Sequence, residues 1–82
     1  MIQIRKNIAI SDTGFLFDPF TGESYSLNST GLEILLMLKN GYSLEEISQK
    51  ITEKYDIDSE TFERYFQDFI STLRLYHLTE NE

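Results

Sequence analysis

The sequence predicts an α+β domain of winged-helix-like architecture, a small three-stranded antiparallel sheet followed by three helices. Three observations carry the prediction. The first third of the chain holds short Ile-, Phe- and Tyr-bearing runs broken by turn residues. The stretch Leu27 to Ile51, LNSTGLEILLMLKNGYSLEEISQKI, reads as two capped helices around a tight corner. From Phe62 onward, large apolar residues recur at three- and four-residue spacing. The chain has 82 residues, 40% of them hydrophobic, with 6 Phe and 5 Tyr. That is enough for one core and leaves no room for a second. Residues 1–82 therefore read as a single domain, with sheet in 1–27 and helices over 28–40, 43–55 and 59–77.

The sheet begins with Ile2 to Ile10, which partly alternates around the charged pair Arg5–Lys6 and reads as one strand. Ser11-Asp-Thr-Gly14 follows as a turn, and Phe15-Leu-Phe17 is rich in strand formers. Pro19-Phe20-Thr21-Gly22 has the chemistry of a tight reversal, with Pro opening the turn and Gly closing it. Glu23 to Leu27 then returns as a short strand with Tyr25 and Leu27 on one face. The expected result is a hairpin from Phe15 to Leu27 with the Ile2–Ile10 strand alongside. Phe20 at its tip is either a core plug or an exposed contact.

Each helix announces its start. Asn28, Ser29 and Thr30 are good N-cap types directly before the apolar run Leu32, Ile34, Leu35, Leu36 and Leu38. Gly41 supplies the left-handed residue at which that helix stops. Ser43 and Glu46 have capping-box spacing, and Leu44, Ile47 and Ile51 share a face of the second helix. Asp58 or Ser59 caps the third, with Glu60 in its first turn. Phe62, Phe66, Phe69 and Leu73 form its expected central buried stripe, with Ile70 on one flank and Tyr65, Thr72 and Tyr76 on the other. That second flank is amphipathic. It suits the wall of a groove, and equally a broad stripe lying flat on a small core with its tyrosine tips in water.

Composition removes several function classes. The chain contains no cysteine, so it has no disulfide, thiolate metal site or cysteine nucleophile. His77 is the single histidine and reads as a polar residue beside a helix C-terminus. Asp56-Ile-Asp58-Ser-Glu60 lacks the central Gly and distal ligands of a calcium loop, so helix capping explains it better. No catalytic set, metal site or cofactor is expected, and the chain reads as no enzyme. The N-terminus lacks the apolar run of a signal peptide, and no segment approaches a membrane span. A soluble, cytoplasmic protein with no membrane partner is expected.

The net charge is −7, with residues 1–40 contributing −1 and residues 41–82 contributing −6. A winged-helix-like architecture makes DNA binding the natural rival function. The exposed positions of the third helix carry more acid than base, however, and a domain this acidic repels a polyanion. No nucleic-acid partner is expected. The acidity is either a soluble surface or a preference for basic partners.

The strand Glu23-Ser-Tyr-Ser-Leu27 is short, polar on one side and rich in hydroxyls. At a sheet edge its unpaired amides and carbonyls are a template for another extended chain, unless Glu23 and Ser24 serve only to blunt it. The order Leu27, Asn28, Thr30, Gly31, Gly41, Ser43, Glu46 and Ile47 resembles the PqqD-like family, the peptide-binding modules also called RiPP recognition elements. Where family members commonly place a Gly near the end of the last helix, this chain has Tyr76-His77-Leu78. The helix therefore either runs on or stops differently.

The resemblance implies a non-catalytic module that takes up the leader of a ribosomally made precursor peptide as an added strand. It presents that leader to a separate enzyme, such as a radical SAM protein or a leader peptidase. On this reading the peptide-binding residues are Glu23, Ser24, Tyr25, Ser26 and Leu27 along the strand. Tyr65, Phe69, Thr72 and Tyr76 receive alternate side chains from the helix. The competing readings are an assembly domain that dimerises through the same edge strand and, less favoured by the charge, a nucleic-acid-binding regulator.

Overall fold

In a computed structural model, residues 2–80 are described. Met1, Asn81 and Glu82 of the expected 1–82 domain lie outside the described residues. The element order is β1 (Gln3–Ile4), β2 (Ala9–Ile10), β3 (Phe15–Phe17), β4 (Ser24–Ser26), α1 (Ser29–Lys39), α2 (Leu44–Tyr55), α3 (Ser59–Leu75) and β5 (Thr79–Glu80). The fold is α+β, with an antiparallel sheet of order β2-β3-β4 and three helices, as the sequence predicts.

The expected Ile2–Ile10 strand is in fact two. The Ile8 amide donates to the Arg5 carbonyl at 3.2 Å, closing a turn that brings both Ile4 and Ile8 into the core. Ahead of that turn, β1 pairs with β5, Gln3 opposite Glu80 and Ile4 opposite Thr79; beyond it, β2 pairs with β3. The β1–β5 pair, which sequence reading did not anticipate, joins the first and last strands among the described residues.

All three N-caps are made as their sequences suggest. Asn28 Oδ1 accepts from the Gly31 amide, Ser43 and Glu46 complete a reciprocal capping box, and Asp58 Oδ1 accepts from the Thr61 amide. The expected extension of α3 to 77 is corrected: the helix ends at Leu75. His77 adopts a left-handed φ of 58°, its amide reaches the Arg74 carbonyl, and the Leu78 amide reaches the Leu73 carbonyl at 2.9 Å. This is a Schellman stop with histidine at the position glycine usually fills. Its accompanying apolar contact is the buried pair Leu73 and Leu78.

The core gathers Ile4 and Leu16 from the sheets, Ile8 from the turn ahead of β2, Ile34 and Leu35 from α1, Ile47 and Ile51 from α2, and Phe62 from α3. The buried stripe of α3 is Phe62, Phe66, Ile70 and Leu73. Phe69, expected in that stripe, is only partly buried and packs against the core from its side. Ile70 takes its place, because the core lies toward the 66/70 side of the helix and turns Phe69 toward β4.

Candidate functional site

The site is built on the edge of β4. The Leu27 amide donates to the Gly14 carbonyl at 2.8 Å, and the Asp18 amide to the Glu23 carbonyl at 2.9 Å. The register between them is Phe15↔Ser26, Leu16↔Tyr25 and Phe17↔Ser24. Antiparallel pairs alternate between exchanging both hydrogen bonds and exchanging none. Tyr25 therefore turns its amide and carbonyl toward Leu16, whereas Ser24 and Ser26 turn theirs outward. β4 is the last strand in the order β2-β3-β4, so among the described residues no strand covers that outward side.

Side chains alternate in the opposite sense to these backbone groups. Tyr25 shares the inner face with buried Leu16, while Ser24 and Ser26 lie on the outer face with Phe15 and Phe17. The inner face looks onto α3, and between the two lies a groove of about 320 Å³. Its walls are Tyr25 and Ser26 from β4 with Leu27 just after it, and Phe69 and Thr72 from α3 with Tyr76 at its C-cap; Leu16, Leu73 and Leu78 complete the lining.

Two ring stacks order these walls. Tyr25 stacks on Tyr76 with centroids 4.6 Å apart and planes 26° apart, joining strand and helix at one end. Tyr65 stacks on Phe69 at 6.3 Å, and its hydroxyl lies 3.5 Å from Asn28 Oδ1 at the other end. Gly31 permits the close approach there, since a β-carbon on it would stand 3.3 Å from Phe69 Cε1 and 3.6 Å from Leu27 Cβ. Partial burial, with the carboxylates of Glu23 and Asp18 and with Tyr76, raises the Tyr25 phenol above its ordinary value.

Of the nine residues singled out by sequence, Tyr25, Ser26, Leu27, Phe69, Thr72 and Tyr76 line one groove. Tyr65 extends it through its stack on Phe69, Ser24 lies on β4's outer face, and Glu23 precedes β4 beside the hairpin tip. The Thr72 hydroxyl is turned back to the Asp68 carbonyl at 3.0 Å, so its methyl group is the part left to face the groove. Sequence reading missed the lining residues Leu16, Leu73 and Leu78. Leu78 could have been found as the apolar residue that follows a helix stop. Phe20 at the hairpin tip is 77% exposed, with the Arg5 guanidinium 5.6 Å from its ring centroid. It is a surface contact and no core plug.

Among the described residues no group of three or more His, Asp or Glu could hold a metal ion, and no helix is long and apolar enough to cross a membrane.

A family model described as Coenzyme PQQ synthesis protein D (PqqD) matches residues 13–78, a span that holds both walls of the groove. The chain belongs to the PqqD family. Two solved structures share its fold almost end to end. One, described as TbiB1 in complex with the TbiA(beta) leader peptide, has a TM-score of 0.86 and 30% identity, covering 98% of this chain and 96% of the other. The second, a lasso peptide synthetase B1 complexed with the leader peptide, also has a TM-score of 0.86, with 25% identity and 98% of each chain covered. No curated protein matches this PqqD-family chain.

Proposed function

We propose that this PqqD-family chain is a non-catalytic, cytoplasmic recognition module. It binds the leader of a ribosomally synthesised precursor peptide by strand addition and presents it to a separate modifying enzyme or leader peptidase. The observation that supports this reading best is the free edge of β4 opening onto an apolar groove, in a fold shared with two leader-peptide complexes. Ser24 and Ser26 bond the leader backbone, and its inward side chains enter between Tyr25, Leu27, Phe69 and Tyr76. Affinity stays moderate because an unstructured leader must be ordered as it binds.

The enzyme partner has a surface of its own. Phe15 and Phe17, 56% and 44% exposed, share β3's outer face, and an added leader strand would continue that face past Ser24 and Ser26. On this reading the enzyme docks over the loaded sheet, close to the leader that it processes.

The test is a titration of ¹⁵N-labelled protein with the leader of a small peptide encoded beside this chain. The Ser24 and Ser26 amides and residues 65–76, along α3 and its C-cap, are expected to shift together. Saturating leader that leaves these amides unmoved would overturn the proposal. Concentration-dependent shifts of the same amides without peptide would instead favour dimerisation through β4. A Phe15→Ser/Phe17→Ser variant is expected to keep leader binding and lose the enzyme.

A further inference from the structure

Resting on the leader-binding reading, we propose that the Tyr25–Tyr76 ring pair and Glu23 form a subsite for a basic side chain, arginine or lysine, on the leader residue opposite Tyr25. The phase of the ladder carries the first step. Ser24 and Ser26 offer their backbone groups outward, so in an added antiparallel strand the residue facing Tyr25 sits in a non-hydrogen-bonded pair. Such pairs hold the two Cα atoms only about 4.5 Å apart and place both side chains on one face. The face here is the inner one, where Tyr25 and Tyr76 are stacked and Tyr76 is 43% exposed.

Charge carries the second step. Ring faces attract cations. Glu23 lies just ahead of β4, two residues from Tyr25; its carbonyl accepts from the Asp18 amide, so the ladder's alternation puts it on Tyr25's face, and it is exposed and without an ion pair among the described residues. Buried Asp18, bonded through its amide to Glu23, adds a second carboxylate near the Tyr25 ring. Among the described residues no cation lines the groove. Arg5, whose guanidinium lies 3.4 Å from the His77 carbonyl oxygen, is engaged there and over the Phe20 ring. An acidic leader side chain would meet repulsion at this end, and an aliphatic one would leave Glu23 unanswered.

The opposite end of the groove, at Leu27 and Phe69, is apolar. In an antiparallel strand the residue facing Leu27 comes two positions before the one facing Tyr25. A leader that adds antiparallel therefore reads, from its N-terminal side, apolar residue, any residue, basic residue.

A random linear peptide library displayed on mRNA and selected against the whole protein tests this whatever the native leader is. The expected enrichment is the apolar–any–basic pattern. Replacing the basic residue of a selected peptide by its neutral isostere should weaken binding by roughly fivefold to tenfold. Selection against Glu23→Lys should exchange the basic residue for an acidic one while the apolar position stays, a swap that a merely structural role for Glu23 would not produce. Enrichment of apolar residues at both positions, unchanged by Glu23→Lys, would overturn the subsite and leave the leader-binding reading standing. No enrichment over bare support would overturn both.

Discussion

Gly14 and His77 show how much of this molecule depends on single backbone conformations. Gly14 has a φ of 93°, and a β-carbon built there would lie 2.7 Å from the Leu27 carbonyl oxygen, a backbone atom that cannot swing aside. Gly14→Ala is therefore expected to cost about 2 kcal/mol or more. That corresponds to a fall in Tm of roughly 10 °C for a domain of this size. Leader affinity should fall with it, because the bond from the Leu27 amide to the Gly14 carbonyl sets the end of β4. His77 is the reverse case. It holds a left-handed φ of 58° without glycine's freedom, so His77→Gly is expected to stabilise by about 0.5–1 kcal/mol after the added freedom of the unfolded chain is counted. Thermal denaturation followed by circular dichroism reads both signs.

Among the elements, the site depends on one strand edge, and the ladder's alternation separates binding from folding. Ser26→Pro removes an amide that faces away from β3, a position where an edge strand tolerates proline. Tyr25→Pro removes one that pairs with Leu16. The first variant is expected to fold, with the dispersed spectrum of the parent, and to lose at least tenfold in leader affinity; the second is expected to lose the hairpin itself. Equal loss of fold in both would contradict the register. Elements were legible from sequence where their chemistry is local. Asn28, Ser43 and Asp58 cap their helices through groups three residues away, and the Pro19–Gly22 turn sets the hairpin. The β1–β5 pair was illegible because strands of two residues show no period and their partners come from opposite ends of the chain. The end of α3 was hidden because histidine does a glycine's work. Phe69 was misplaced in the core because a helical wheel does not say which side of an apolar stripe the sheet will cover. The same ring reappears in the groove wall beside Thr72 and Tyr76, residues of the flank that the sequence left open between a groove wall and a flat stripe.

At the scale of the whole molecule, carboxylates of a chain whose net charge is −7 also fasten the helices together. The Lys54 ammonium at 2.8 Å, then the Tyr55 hydroxyl at 2.6 Å, hold Glu33 below the usual carboxylate range and tie α1 to α2. Glu46 is lowered by its bond from the Ser43 amide at the start of α2, and Asp58 by Thr61 at the start of α3. All three pKa values are depressed on folding, so the unfolded chain takes up these protons first. Their stabilisation is present above the ordinary values, about 4.3 for Glu and 3.9 for Asp, and is lost as pH falls through the folded values. Acid also discharges the surplus of negative charge, which relieves repulsion across the molecule and opposes this trend, so the parent's melting curve alone does not separate the two. The double variant Glu46→Gln/Asp58→Asn does, because Gln and Asn keep the capping geometry and remove only the charge at two helix N-termini. It is expected to melt below the parent at pH 7, with the gap closing as pH falls to about 3. A gap that stays constant with pH would mean that the caps act through hydrogen bonds alone and that their charges contribute nothing to holding α2 and α3 in place.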